Sequence, residues 1–202
     1  MSEFIIGLIT QWSYLGIFLL MVAENIFPPI PSELIMPFAG YVAANGELNP
    51  IGVLVAGTLG SLLGTSAWYV AARLLGLDRF VWLCNKLGRI ATLSEDDIDK
   101  ADRWFKRHGI WAVFIGRLIP AIRTLISVPA GLAAMPFGQF LAISAIGTVI
   151  WTAILTASGY LLKASYHIVE AWVDPVSTGV VVLAVVIYLY RFATWKPIKD
   201  IG

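Results

Sequence analysis

Away from the polar segment over residues 74–108, the termini and the ends of the apolar runs, four ionisable residues lie within apolar sequence, two of them acidic and two basic. A charge of this kind costs about 2.5–3.5 kcal/mol to insert into a membrane, so it usually marks a binding site or a transport pathway. Guanidinium groups bind phosphate through paired hydrogen bonds, and a carboxyl group that is removed from water becomes easier to protonate. The residues therefore predict an anion site in which Arg117 and Arg123 bind the phosphate of a lipid headgroup. Glu24 and Glu33 are the predicted proton-coupling or gating groups.

Structural ion pairs are the alternative interpretation of the same four charges. Arginines in a dry core are a poor stabilising device, because apolar residues of similar size often serve as well or better. We therefore favour the binding role.

The composition is that of an integral membrane protein. The 202 residues are 58% hydrophobic and 13% charged, against about 25% charged residues in soluble domains. Uncharged runs cover residues 48–72, 124–162 and 175–190, and a helix needs about 20 apolar residues to span a bilayer. The net charge of +1 provides no basis for nucleic-acid binding. We predict an all-α polytopic membrane protein with about three full spans.

Three prolines between the two glutamates break any helix that enters this stretch. Pro28, Pro29 and Pro31 lack the backbone N–H and clash with the preceding helical turn. The apolar arms on either side, residues 14–23 and 34–44, would each rise about 15 Å as helices, half of a bilayer core. They predict a re-entrant hairpin that enters and leaves on one face of the membrane. A kinked full span from residue 5 onward is the alternative.

The second half of the chain resembles the first. Residues 110–119 and 124–134 form the arms of a second predicted hairpin, with breaks at Pro120 and Pro129. Glu24 and Arg117 each follow a Gly-Ile pair at the same distance. Further matches join Pro37 and Gly40 to Pro129 and Gly131, and Gly60 to Gly147. One hairpin plus one span in each unit turns the second unit upside down relative to the first, which is an inverted-topology repeat.

We predict a single membrane domain over residues 1–202. It comprises repeat unit 1 over about 12–73, an amphipathic linker over about 74–108, repeat unit 2 over about 109–163 and a C-terminal transmembrane helix over about 173–195. Gly109 is expected to end the linker helix. Because the linker and the C-terminal tail carry most of the Lys and Arg residues, both are expected in the cytoplasm.

The motifs around the four charges resemble those of a known family. They read Glu24-x-x-x-Pro28-Pro29-x-Pro31-Ser32-Glu33, then Phe114-Ile-Gly116-Arg117-Leu-Ile-Pro120-Ala-Ile-Arg123-Thr124, then Pro129-Ala-Gly131. Over roughly residues 17–159 the chain resembles the bacterial DedA family of inner-membrane proteins, in the VTT (SNARE-associated) superfamily. The resemblance implies membrane homeostasis, dependence on the proton motive force, and translocation of undecaprenyl phosphate or phospholipid in the bacterial inner (plasma) membrane. It also implies that the family's membrane acids correspond to Glu24 and Glu33, and its essential arginines to Arg117 and Arg123.

We therefore expect a lipid-phosphate translocase, or flippase, with an anionic membrane lipid and protons as its partners. A proton-coupled antiporter for small ions or drugs is one alternative, and a non-transporting membrane-homeostasis or assembly protein is another. A homodimer is one assembly that is compatible with the sequence.

An enzyme is not expected, and neither a catalytic residue, a cofactor nor a metal site is predicted. Lipid-phosphate hydrolysis requires a nucleophile with His partners or a metal cage. The only histidines are His108 and His167, and the chain contains no HExxH motif.

Overall fold

The computed structural model describes residues 2–26, 32–87, 95–120 and 122–161, together with residues 186, 189, 190 and 193. Between residues 2 and 161 the described residues form six helices and no strand. They are α1 (Ser2–Ile26), α2 (Ser32–Ala44), α3 (Pro50–Leu87), α4 (Glu95–Leu118), α5 (Ser127–Leu132) and α6 (Phe137–Leu161). The predicted all-α class is confirmed for this part of the chain.

Three of the described helices contain a segment long and apolar enough to cross a membrane: Gly7–Ile26, Pro50–Phe80 and Phe137–Leu161. The chain is therefore a multi-pass membrane protein. The segments in α3 and α6 overlap the uncharged runs over residues 48–72 and 124–162, from which full spans were predicted. The segment in α1 covers the stretch that we predicted as one arm of a hairpin. The predicted C-terminal span over 173–195 lies outside the described residues, apart from the four isolated ones.

Helix α1 is broken at Ser13, whose φ of 51° and ψ of −124° are not helical. A Cβ atom on Gly16 would collide with the backbone carbonyl of Leu8, although eight residues of continuous helix would separate the two by about 12 Å. The chain therefore folds back at Ser13. Residues 14–26 beyond the break rise about 20 Å as a helix, less than the roughly 30 Å of a bilayer core.

The two uninterrupted apolar spans, in α3 and α6, contact each other and are both covered by the other four helices. Helix α1 packs against α3, which follows it in its own half of the chain, and α4 packs against α6 in the same way. The short helices cross over instead: α2 packs against α6, and α5 packs against α3. Each half of the chain is thus covered in part by the other half.

Glycines make these crossed contacts possible, because a side chain has no room there. A Cβ atom on Gly40 in α2 would collide with the carbonyl oxygen of Thr156, and one on Gly131 in α5 would collide with that of Tyr69. Gly159 in α6 lies directly against the carbonyl of Pro37 in α2. Small residues of this kind let membrane helices approach closely enough for extensive van der Waals contact.

The predicted helix end at Gly109 is wrong. Helix α4 runs without interruption from Glu95 to Leu118, so the predicted linker and the first arm of the second hairpin form one helix. A glycine inside a helix costs only about 1 kcal/mol relative to alanine. Burial of Phe105, Ala112 and Val113 on either side of Gly109 offsets that cost. The linker's predicted start at 74 also falls inside a helix, since α3 continues past a kink at Gly76 to Leu87.

Replacing Gly159 by alanine is expected to destabilise the protein. The added methyl group would overlap the backbone of Pro37, which cannot move as a flexible side chain would, and overpacking of this kind costs about 1–3 kcal/mol. Thermal unfolding of the detergent-solubilised protein should show a lower midpoint for Gly159→Ala. Gly138→Ala, at the other end of the same helix with nothing near its Cβ position, is the matched control. Equal midpoints for the two variants would contradict the close α2–α6 packing.

Candidate functional site

The four charges singled out in the sequence lie near the ends of four elements that meet between the two spans. Glu24 is in the last turn of α1 and Glu33 in the first turn of α2. Arg117 is in the last turn of α4, and Arg123 follows in the turn that leads to α5. Three of them are almost completely buried, at 5% exposure for Glu24, 2% for Arg117 and 6% for Arg123.

An ion pair joins the two halves of the chain. Arg123 Nη2 donates to Glu24 Oε1 and also to the hydroxyl oxygen of Ser32, 2.5 Å away. The guanidinium group lies over the indole ring of Trp151 in α6, 5.7 Å from its centroid. A charged, delocalised group on an aromatic face gains a further attraction where water is excluded. The structure thus brings an acid of the first half against a base of the second, as the opposite charges suggest.

Among the described residues, the hydrogen-bond partners of Arg117 include no carboxylate. Its Nε donates to Ser144 Oγ at 3.2 Å, its Nη1 to the carbonyl of Arg123 at 2.7 Å, and its Nη2 to Ser127 Oγ at 3.0 Å. Its guanidinium carbon lies 5.5 Å from the centre of the Phe140 ring. All three acceptors are neutral, so the direct contacts of the Arg117 charge are dipoles and an aromatic face.

Asn25 fixes the free oxygen of Glu24, and sequence reasoning missed it. Its Nδ2 lies 2.7 Å from Glu24 Oε2, 2.8 Å from the Met21 carbonyl and 3.2 Å from Ser61 Oγ in α3. Trp68 Nε1 donates to the backbone carbonyl of Asn25 at 2.8 Å. Asn25 is only 1% exposed. An amide next to an acid within an apolar run was the available signal.

The serines around the arginines were also missed by the sequence reasoning. Ser32, Ser127 and Ser144 are each completely buried and accept a hydrogen bond from one of the guanidiniums. Single hydroxyls are common in membrane helices, where they bond to the backbone or to neighbouring helices. Only the three-dimensional arrangement distinguishes these three from the rest.

Glu33 is not part of the ion pair. It is half-buried, and it makes no hydrogen bond to any other residue that the structure describes. A carboxylate in the first turn of a helix is favoured by the helix dipole. Glu33 therefore lies at the edge of the cluster, whereas Glu24 is inside it.

The predicted proline breaks differ in their outcome. Pro28, Pro29 and Pro31 lie outside the described residues. Pro120 is in the turn that follows α4, as predicted. Pro129 was wrongly predicted as a break, because it lies inside α5. It falls in the first turn of that helix, where the backbone N–H has no intrahelical partner and proline is tolerated.

Buried hydroxyls continue from the charges along the contact between the two spans. Thr58 in α3 and Thr152 in α6 lie 3.2 Å apart through their hydroxyl oxygens. Further buried hydroxyls on the same helices are those of Ser61, Thr65, Ser144, Thr148 and Thr156. The inner faces of both spans are therefore polar beside the ion pair.

The fully buried part of the cluster holds more cations than anions. Two guanidiniums and one carboxylate are buried together, and the fourth charge, that of Glu33, is only half-buried at the edge. Such an arrangement can accept an anion. Within the described residues, no group of three or more His, Cys, Asp or Glu side chains lies together in a way that could hold a metal ion.

Comparison with known proteins agrees with the resemblance seen in the motifs. The VTT domain matches residues 30–161. A Lactococcus lactis protein named alkaline phosphatase-like protein is 40% identical over 190 residues, which cover 94% of this chain and 89% of the relative. The undecaprenyl phosphate transporter A of Staphylococcus aureus is 33% identical over 195 residues, 95% of this chain and 96% of the relative.

A second undecaprenyl phosphate transporter A, from Bacillus subtilis, is 29% identical over 188 residues, which cover 93% of this chain and 91% of the relative. No solved structure matches the chain significantly. The domain match covers well over half of the chain, and the relatives align over nearly their whole length. The chain therefore belongs to the DedA family of VTT-domain membrane proteins.

Proposed function

We propose that the protein is a proton-motive-force-dependent translocase of a lipid phosphate, either undecaprenyl phosphate or a phospholipid. Arg117 and Arg123 bind the phosphate, and Glu24 and Glu33 couple or gate the movement with protons. The observation that carries this proposal is the burial of Arg117 without a carboxylate among its hydrogen-bond partners in the described part of the chain. The names of the two transporter relatives support the choice of a lipid phosphate.

The energetic argument concerns the excess positive charge. An ion taken out of water without a counter-ion costs several kcal/mol even after the protein relaxes. Arg117 uses three of the five N–H donors of a guanidinium on neutral acceptors. An incoming phosphate would supply both the missing negative charge and acceptors for the remaining donors. The same binding would be much weaker at a lysine, which lacks the planar fork.

Proton uptake is linked to lipid binding because the Glu24 carboxylate and the lipid phosphate compete for Arg123. In the described state Glu24 occupies this guanidinium. A phosphate that binds both arginines must displace the carboxylate, and a displaced carboxylate in an apolar site is stabilised by taking up a proton. Lipid binding and proton uptake at Glu24 are therefore linked, and Asn25 remains a hydrogen-bond partner of the carboxyl group when the phosphate replaces it at Arg123. Glu33, at the edge of the cluster, is the second group through which protons reach the site.

Re-entrant hairpins within an inverted-topology repeat are part of the same proposal. The break at Ser13 leaves a helix over residues 14–26 that is too short to cross a bilayer core. Helix α2 is also too short to cross it, unlike α3 and α6. Both favour a hairpin whose tip remains in the membrane. Broken backbone at that depth is compatible with a bilayer only where protein or a water-filled cavity covers it.

Equivalent contacts in the two halves support the repeat. Gly40 of α2 lies against Thr156, and Gly131 of α5 lies against Tyr69. Tyr69 and Thr156 are separated in sequence by the same interval as Gly60 and Gly147, from which the repeat was predicted. A pair of hydrogen bonds repeats at the same interval. In α3 the Thr65 hydroxyl donates to the Ser61 carbonyl, and in α6 the Thr152 hydroxyl donates to the Thr148 carbonyl.

We place the protein in the bacterial inner membrane, with the linker and the C-terminus in the cytoplasm. Most Lys and Arg residues lie in these two segments, and positive charge is retained on the cytoplasmic side. The N-terminus and the first hairpin then lie on the outer side, and the second hairpin enters from the cytoplasm.

Loss of the Arg117 charge is expected to slow transport strongly. In proteoliposomes with undecaprenyl phosphate or a fluorescent phospholipid, Arg117→Gln should transport at least about tenfold more slowly, since hydrogen bonds to charged groups contribute about 1.5–3 kcal/mol. Arg79→Gln, an exposed arginine at the end of α3, is the control and should transport at the wild-type rate.

Transport by Arg117→Gln at the wild-type rate would refute the assigned role of Arg117 in phosphate binding. Inorganic phosphate released from either lipid by the purified wild-type protein would indicate an enzyme instead of a translocase. Movement of small ions under a pH gradient in vesicles without the lipid would favour the antiporter.

Removing the titratable group at position 24 should uncouple lipid binding from proton uptake. Calorimetric titration of the wild-type protein with lipid phosphate, in two buffers of different ionisation enthalpy, should reveal net proton uptake of about one per lipid bound. Glu24→Gln should bind the lipid with no such buffer dependence, whereas Glu47→Gln, in the exposed turn after α2, should behave as the wild type. Unchanged proton uptake in Glu24→Gln would assign the proton to another group.

The depth of the first hairpin can be tested at Ile26, the exposed last residue of α1. In a background with Cys84→Ala, a membrane-impermeant maleimide should not label Ile26→Cys from either side of intact vesicles, because the tip lies within the bilayer. Asp78→Cys, exposed near the end of α3, should be labelled from the cytoplasmic side. Labelling of Ile26→Cys from that same side would show that the hairpin crosses the membrane completely.

A further inference from the structure

A cavity of about 430 Å³ lies at a distance from the buried arginines. Its walls are the middle of α4 and the turn that joins α5 to α6. Arg107, which lines it, precedes Arg117 on the same helix by ten residues, and this places the two about 15 Å apart along the helix axis. The cavity is therefore separate from the ion pair and from its hydrogen-bond partners.

The polar side chains that line the cavity suit an anion. They are Arg107, His108 and Gln139, and none of the described lining residues is acidic. Arg107 is exposed, and it forms no hydrogen bond or ion pair with any other residue that the structure describes. The Nδ1 atom of His108 is 3.2 Å from the carbonyl oxygen of Trp104. This contact occupies one ring nitrogen and leaves the other for a ligand.

The opposite wall is a strained turn that α3 holds in place. Ala134 has a φ of 53°, which is uncommon for a residue other than glycine. The carbonyl of the next residue, Met135, accepts hydrogen bonds from the Tyr69 hydroxyl and, at 3.0 Å, from Arg73. Strain of this kind persists only where surrounding contacts impose it, and it is concentrated at binding sites. Arg73 also brings another positive charge to the back of this wall.

The start of α6 adds to the positive potential. Its first intrahelical bond runs from the Phe140 N–H to the Pro136 carbonyl, so the N–H groups just before Phe140 have no partner within the helix. Gln139 lines the cavity from this first turn. The positive end of the helix dipole reinforces the attraction that Arg107 exerts on an anion.

Aromatic side chains place the cavity at the depth of the lipid headgroups. Trp111 lines it and Trp104 lies one turn before His108, and both are more than half exposed. Exposed tryptophans are enriched at the membrane–water interface, where the ring contacts lipid and the N–H remains hydrated. The volume lies within the range of small-molecule sites and can hold a phosphate with its glycerol attachment.

We propose that this cavity is a second anion site, which binds the phosphate group of an anionic lipid at the membrane interface. The inference is independent of the transport proposed for the buried arginines. It rests on the cavity, on Arg107 and His108 in a lining whose described residues include no acid, and on the two exposed tryptophans.

Binding to the purified full-length protein tests the proposal. Lipid-depleted protein in detergent is titrated with a short-chain phosphatidic acid and, separately, with inorganic phosphate. The double variant Arg107→Gln, His108→Gln should bind the phosphatidic acid at least about tenfold more weakly, since it loses charge-assisted hydrogen bonds. Arg103→Gln is the matched control, because Arg103 is exposed on the same helix but does not line the cavity.

Two outcomes would overturn the inference. Equal affinity of the double variant and the Arg103→Gln control for phosphatidic acid would show that the cavity does not bind the lipid. Inorganic phosphate binding as tightly as the lipid would show that the ligand is the free anion. Because both altered side chains are exposed, the thermal midpoint should match the wild type, which separates lost binding from lost folding. Transport by Arg117→Gln is measured independently, so failure of one proposal is distinguishable from failure of the other.

Discussion

The ion pair between Glu24 and Arg123 is the constraint on which the arrangement of the chain depends. Its two members come from opposite halves of the sequence and meet where almost no water reaches them. Removing one partner of such a pair leaves an uncompensated charge and costs about 3–5 kcal/mol. Any conformation that separates the two halves must therefore either neutralise both groups or provide other partners. A phosphate for the arginine and a proton for the glutamate would meet that condition together.

The surroundings of the pair are as specific as the pair itself. Ser32, Asn25 and Trp151 each contact one of the two charges. A buried polar network is stabilising only when its members are satisfied. The Glu24 carboxylate and the Asn25 amide each have more than one partner, whereas Trp151 contributes its ring face and its Nε1 has no described partner. This explains why a membrane helix carries an asparagine next to a glutamate, two residues that are each unfavourable in hydrocarbon.

Parts of this arrangement could be predicted from the sequence, because they depend on local composition. The two long spans follow from uncharged runs, and the break at Pro120 follows from the missing N–H of proline. The importance of Glu24, Arg117 and Arg123 was suggested by their position in apolar sequence, and the structure buries all three. Whether they bind phosphate and protons stays a prediction.

Other features depend on partners distant in sequence and could not be predicted. Local rules for proline and glycine failed at Pro129 and Gly109, where position within the helix and tertiary packing decide the outcome. The fold-back at Ser13 has no proline or glycine to signal it. The neutral shell of Arg117 is formed by serines that resemble many others in the chain. Among the described residues, Arg123 has a carboxylate partner and Arg117 has none.

The crossed packing of α2 on α6 and of α5 on α3 has a consequence for how such a chain could have arisen. A polypeptide that ended before α4 would contain α2 without the span α6 against which it packs. Its own span, α3, would lack the covering helix α5. Two copies of that polypeptide, inserted in opposite orientations, would supply each other with the missing surface. Joining the copies into one gene would then fix their ratio and orientation. It would also let the two inner faces diverge until one carried the acid and the other the bases.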